Sequence, residues 1–232
     1  MRKQLGTAPL PDPLPFDGVS LFKSGSMKYS SKINAGALIA AAKEELKPNE
    51  PEVYKVFLLG LFAGMRRAEI DLSEWKMVDW DKCVIRLHET EWLNLKTQDS
   101  AGEITIDAEV ISELRELMPA SKSQFIVASD RPPRNDSPRP YYRCEPVLDR
   151  LNRWLRSKGV TANKPLHELR KEIGALVATE HGIYAASRFL RHSDITTTAR
   201  HYADHKARIS VGLGKLLETR IKPFGASLQG SN

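Results

Sequence analysis

The chain has 232 residues, of which 41% are hydrophobic and 28% charged, the composition of an ordinary globular domain, which excludes collagen-like, coiled-coil and wholly disordered chains. Thirty-five Lys and Arg against 29 Asp and Glu leave a net charge of +6, a balance that favours a polyanionic partner. Cys83 and Cys144 lie far apart and outside any CxxC or Cys/His cluster, no apolar run approaches the ~20 residues of a bilayer span, and the N-terminus lacks the apolar core of a signal peptide, so the expectation is a cytoplasmic protein with reduced thiols, no zinc and no membrane partner.

Residues 1–32 read as a proline-rich linker or N-terminal arm. Pro9, Pro11, Pro13 and Pro15 alternate there, and such spacing favours extended backbone without internal hydrogen bonds. The globular part is expected over residues 33–222, with a flexible tail over 223–232. Asn34-Ala35-Gly36 opens a helix to about Leu46, ended by Pro48. Glu52 to Ala63 is a strongly apolar helix closed by Gly64, and Ala68 to Glu74 a short one. Val78 to Asp81, Cys83 to His88 and Gly102 to Asp107 read as strands of a small antiparallel sheet. Ala108 to Leu117 is helical, Phe125 to Ala128 is a short buried run, and the four prolines of residues 129–143 mark a loop. Helices follow over about 144–158, 166–180, 184–191, 195–202 and 205–219. The pattern is mainly α (α+β): a helical domain with a three-stranded antiparallel sheet, since strands and helices do not alternate as a doubly wound sheet requires.

Charge is concentrated. Between Ser121 and Lys158 stand nine basic residues and four acidic ones. On the 144–158 helix Val147, Leu148, Leu151, Trp154 and Leu155 share one face, and Arg150, Arg153 and Arg156 fall on the other. That basic face reads equally as a solvated surface or as a DNA-binding, phosphate-contacting helix.

No GxxxxGK[ST], GxGxxG or HExxH occurs, and no carboxylate cluster marks a Mg²⁺ site, so no cofactor is expected. If the protein cuts nucleic acid, the attack is then expected from a side chain, with positive charge supplied by Arg, Lys and His. Such residues occur in series. Residues 64–70 read GMRRAEI, with Arg66 and Arg67 about 100° apart if both are helical, so that one of them enters a given site and Glu69 pairs with one. Lys96 precedes the third strand, where Asp99 to Gly102 reads as a hairpin turn. His167 and Arg170 lie at i and i+3 in LHELR. His192 and Tyr202 close the run LRHSDITTTARHY.

The order GMRRAEI, hairpin lysine, HELR, LRHSD and tyrosine resembles the catalytic domain of tyrosine recombinases, the phage-integrase family, over about residues 34–219. The resemblance implies the tyrosine-recombinase fold. It implies that Arg66 is the first catalytic arginine with Glu69 as its supporting acid, Lys96 the hairpin lysine, His167 and Arg170 the HxxR pair, His192 the second histidine and Tyr202 the nucleophile. Three departures stand out. Arg191 occupies a position where glycine is commonest, and a positive φ there would strain an arginine. Tyr202 follows His192 by ten residues where nine is usual. Residues 1–32 are too short and too rich in proline to be the N-terminal helical domain of the family.

The implied reaction is site-specific breakage and rejoining of double-stranded DNA through a covalent 3′-phosphotyrosine, in integration or recombination of a phage or other mobile element, without metal or ATP. The alternatives are type IB topoisomerase-like relaxation and a non-catalytic DNA-binding regulator derived from the fold. Ile209, Leu213, Leu216 and Leu217 near one face of 205–219 fit either packing within the chain or, as the family implies, docking onto a neighbour. The latter predicts a homotetramer on DNA formed from a protein monomeric in free solution.

Overall fold

The computed structural model describes residues 33–95, 101–118, 123–134 and 141–202, with residues 200–202 described through their backbone only. The N-terminal arm, Lys96, the 205–219 segment and the tail lie outside the described residues. In chain order the elements are α1 (Ala35–Ala41), a π-helical stretch (Ala42–Leu46), α2 (Lys47–Asn49), α3 (Pro51–Leu61), α4 (Arg67–Leu72), a 3₁₀ turn (Trp75–Met77), β1 (Val78–Asp79), β2 (Val84–Leu87), β3 (Gly102–Thr105), α5 (Ala108–Glu116), α6 (Glu145–Ser157), α7 (Pro165–Phe189) and α8 (Ile195–Tyr202). The strands form one antiparallel sheet in the order β1-β2-β3, as the sequence predicts.

Asn34 caps α1, its side-chain oxygen accepting the Ala37 amide at 3.0 Å, which satisfies one of the orphan donors of the first turn. Pro48 does not end this segment, against the sequence expectation. The helix widens over Ala42–Leu46 and runs on through α2 to Asn49. A widened turn absorbs a proline ring that lacks an N–H and crowds the carbonyl four residues back.

Helix α3 is buried along Val53–Leu61 and packs against α6 and α7, which makes it the centre of the core. A Cβ on Gly60 would stand 2.9 Å from Leu166 Cδ1, so the glycine lets α7 close on α3. Phe57 meets Trp154 of α6 edge to face at 5.8 Å between ring centroids, a favoured aromatic geometry.

The strands are shorter than their sequence signals. Asp79 Oδ1 accepts the Lys82 amide at 3.1 Å, and this side-chain turn ends β1 at Asp79, two residues early. In the β2–β3 ladder Val84 faces Thr105 and Leu87 faces Gly102. The two predicted helices 166–180 and 184–191 form the one span α7, interrupted at Gly182 with φ 84° and ψ 168°, a backbone state that glycine tolerates.

Arg143 departs from its sequence reading as part of a basic surface segment. It is buried, with Nε donating to the Asp71 carbonyl at 2.9 Å, a further bond to the Val127 carbonyl, and its guanidinium 3.9 Å from the Phe125 ring centroid. The Asp71 carboxylate accepts the amides of Arg143 at 3.0 Å and Cys144 at 2.7 Å. This cluster locks the end of α4 to the start of α6, and so fixes the two helices that frame the site.

Candidate active site

Gly64 leaves α3 with φ +54°, the left-handed state that ends many helices. The turn delivers Arg66 in extended conformation (φ −77°, ψ 157°) as the residue before α4. Glu69, in the first turn of α4, holds Arg66 twice: its carboxylate accepts the Arg66 backbone N–H at 2.8 Å and Nη1 at 2.7 Å. Arg66 Nη2 donates to the Arg191 carbonyl at 3.0 Å, and the side chain stays 31% exposed.

Arg170 enters from α7 and is 3% exposed. Its Nη1 donates to the Gly64 carbonyl and its Nη2 to the Leu190 carbonyl. These bonds occupy two of the five N–H groups of a guanidinium and tie the turn before Arg66 to the turn after α7. His192 follows that second turn, with Nδ1 2.7 Å from Thr198 Oγ1 of α8. Tyr202 is the last residue of α8, one helical turn beyond Thr198; its side chain lies outside the described residues.

Arg191 has φ +52°, so the strained state foreseen at this position is present. It is a conformation that costs an L-residue roughly 1–2 kcal/mol. Its side chain is buried, and Nη2 donates to Glu69 Oε2 at 2.6 Å. Burial by itself would raise the Glu69 pKa, but Arg191 and Arg66 outweigh it and hold the carboxyl below the usual carboxylate range.

His167 opens onto a cleft of about 690 Å³, whose walls also carry Arg66, Arg67, Tyr142, Arg156 and Lys164. The imidazole is exposed, yet the surrounding cleft walls partly desolvate it, and Lys171, Arg170 and Lys164 add repulsion. Its pKa is pushed down to about 4, so it is neutral near pH 7. His167 and Arg170 diverge despite their i, i+3 spacing, the first toward the cleft and the second beneath it. Arg66 and Arg67 both border the cleft, against the expectation that only one could. Arg66 is extended rather than helical, while Arg67 stacks 4.1 Å from the Tyr142 ring centroid and pairs with Glu145.

The structure therefore ties Arg66, Glu69 and Arg170 together through the Gly64 and Leu190–Arg191 turns, with His192 next in the chain after Arg191 and His167 on the adjoining wall. Lys96 lies outside the described residues. A shallow cleft of about 430 Å³ runs between Gly102 and Glu103 of β3 and the turn at Arg191 and His192, and residues 96–100 lie just before β3 in the chain. The three α6 arginines separate. Arg156 lines the large cleft, Arg150 pairs with Glu50 at 2.9 Å, and Arg153 is exposed outside the cleft lining. Sequence reasoning singled out Arg191 only as an anomaly and missed Thr198 and Lys164. Neither belongs to a motif, although each stands near its partner in the chain, Lys164 three residues before His167 and Thr198 six after His192. Among the described residues no group of three or more His, Cys, Asp and Glu side chains is gathered as a metal site.

Residues 31–208, more than three quarters of the chain, match the phage integrase family. The chain belongs to that family. Among solved structures this phage integrase domain is similar to XerA recombinase, with a TM-score of 0.55, 17% identity, and coverage of 84% of this chain and 65% of that one. It is also similar to the Tn1549 transposon integrase in complex with transposon right end DNA, with a TM-score of 0.55, 16% identity, and coverage of 88% of this chain and 69% of that one. A complex of the same integrase with a circular intermediate DNA gives a TM-score of 0.54 at 14% identity. The chain thus spans about two thirds of the length of these structures, and at such identities the likeness is one of fold. No curated protein sequence matches the chain.

Proposed function

We propose that this chain is the catalytic domain of a tyrosine-type site-specific recombinase, which breaks and rejoins double-stranded DNA through a 3′-phosphotyrosine at Tyr202, without metal or ATP. The observation that carries the reading is that the turns after α3 and α7 tie Arg66, Glu69 and Arg170 together, with His192 following directly at the base of α8, in a member of the phage integrase family. The basic cleft, the net charge of +6 and the DNA complexes of the Tn1549 integrase support duplex DNA as the partner. The integration or recombination of a phage or other mobile element is the matching role. The apolar residues of 205–219 would join four copies on DNA.

In this reading the Tyr202 oxygen attacks the scissile phosphorus and the bond to the 5′-oxygen breaks. Arg66, Arg170 and His192 donate to the non-bridging oxygens, where charge builds up in the transition state. Guanidinium suits this role because it stays charged and offers forked donors. A phenol has an ordinary pKa of about 10, and the cationic surroundings favour its phenolate. His167 accepts the phenolic proton or holds the geometry, and Lys96 gives a proton to the departing 5′-oxygen. The phosphotyrosine keeps the energy of the broken bond, so a second 5′-hydroxyl reverses the step without ATP.

The test is covalent trapping on nicked suicide duplexes built from the junctions of the protein's own element, quenched in detergent. Wild type is expected to give a shifted protein–DNA band in the presence of a chelator, and Tyr202→Phe none. Arg170→Ala is expected to bind DNA but to cleave on the order of 10²–10³ more slowly, as for loss of an oxyanion donor. A band from Tyr202→Phe would overturn the nucleophile. Absence of any wild-type band with DNA binding intact would favour a binding regulator.

A further inference from the structure

We infer that Arg191 is a positioning residue that neutralises the buried Glu69 carboxylate and thereby leaves the positive charge of Arg66 to a DNA phosphate; this rests on the strand-transfer reading above. Glu69 and Arg191 side chains are 4% and 3% exposed, so their charges are little screened by salt. With only Arg66 beside it, the carboxylate would cancel that guanidinium at 2.7 Å, and the pair would present no net charge to an incoming anion. Arg191 makes the cluster two cations to one anion, a net +1, and of its two cations Arg66 is the one that borders the 690 Å³ cleft.

Stability does not account for the residue. A glycine would adopt φ +52° without strain, whereas Arg191 adopts it with a buried guanidinium whose Nε has no hydrogen-bond partner among the described residues. Buried ion pairs are weak stabilisers in general. Arg191 also holds Arg66 from a second side, since its carbonyl accepts Arg66 Nη2 at 3.0 Å. Guanidinium neutralising the anchor and carbonyl orienting the fork are two contacts made by one strained residue. Strain of this kind gathers at functional sites.

The experiment compares wild type, Arg191→Gly, the double variant Arg191→Gly with Glu69→Gln, and Arg66→Ala. Thermal melts establish that each folds, and Arg191→Lys, which keeps the charge, stands in if the glycine variants do not. The first readout is the salt dependence of binding to a random-sequence duplex, which needs neither cleavage nor the natural target. Arg191→Gly and Arg66→Ala are each expected to flatten the slope of log K against log salt by about 0.9, the loss of one phosphate contact. Adding Glu69→Gln to Arg191→Gly should restore the slope, because the uncompensated carboxylate is gone. The second readout is single-turnover cleavage of the suicide duplex, expected to fall by on the order of tenfold to a hundredfold in Arg191→Gly and to recover in part in the double variant. A residue that merely filled space would not be rescued by Glu69→Gln. An unchanged slope in Arg191→Gly or Arg66→Ala, or a slope that Glu69→Gln fails to restore, would overturn the inference; in the charge-keeping fallback, Arg191→Lys must retain the wild-type slope. Lack of wild-type cleavage would instead overturn the strand-transfer reading, and the slopes would still decide the role of Arg191.

Discussion

His167 illustrates how far one side chain's chemistry depends on its surroundings. Partial desolvation in the cleft and the nearby Lys171, Arg170 and Lys164 lower its pKa to about 4, against an ordinary value of 6.5. Between those two values the unfolded chain binds a proton that the folded one refuses. Stability from this group is therefore present above pH 6.5 and is withdrawn as pH falls toward 4. An NMR titration of the His167 ring in the free protein should show neutral imidazole down to about pH 5, with a midpoint near 4. A midpoint at 6.5 would show that the neighbouring cations do not act on the ring, and would return it to the ordinary histidine range. Glu69 has the same sign, since Arg191 and Arg66 hold its carboxyl below the usual carboxylate range and it too contributes stability that acid removes. The HELR motif displays His167 and Arg170 as a pair in sequence. The division of labour between an open imidazole and a buried guanidinium arises from how α7 lies against the Gly64 and Leu190 turns.

At the scale of elements, two tight turns hold the site together. Gly64 has φ +54°, and a Cβ placed there would meet Phe189 Cε1 at 3.1 Å and Leu190 Cδ2 at 3.3 Å. Its carbonyl also accepts Arg170 Nη1. Gly64→Ala is expected to cost about 1–2 kcal/mol in backbone strain, with crowding against α7 in addition, and so to lower the melting temperature by about 2–8 °C. Cleavage should fall more than stability explains, because the turn aligns Arg66 and Arg170 together. An unchanged melting point and cleavage rate would refute the turn's role. The glycine after an apolar helix was legible in sequence as a stop. The direction in which it sends the chain was not, because that depends on the facing surface of α7. The early end of β1 shows the same limit, since strand propensity continued past a turn that the Asp79–Lys82 hydrogen bond enforces.

Across the whole molecule, the net charge of +6 acts where the fold places it. Arg156 lines the cleft beside Arg66 and His167, while Arg150 is paired with Glu50 at 2.9 Å and Arg143 is buried in the clamp on Asp71. Arg156→Ala should flatten the salt dependence of duplex binding by about 0.9 in log–log slope, and Arg150→Ala should change it much less. Equal effects from the two substitutions would mean that the whole face of α6 meets DNA. Sequence alone counted these three arginines as one basic segment, and burial and pairing separate them. No helix among the described residues is long and apolar enough to cross a membrane.

Periodicity, glycine and proline placement and the ordered motifs sufficed to determine a helical domain with a small antiparallel sheet and to single out Arg66, Glu69, His167, Arg170 and His192. Each of those signals is local or depends only on order along the chain. The tertiary structure decided what order cannot express. It decided that Arg66 and Arg191 share one carboxylate, that Arg170 points at two backbone carbonyls, that Thr198 meets His192, and that Arg143 is a buried clamp. Apart from the Thr198–His192 contact, which spans six residues, these contacts join residues distant in sequence, and their strength depends on burial and on a geometry that exists only once α3, α4, α7 and α8 have packed.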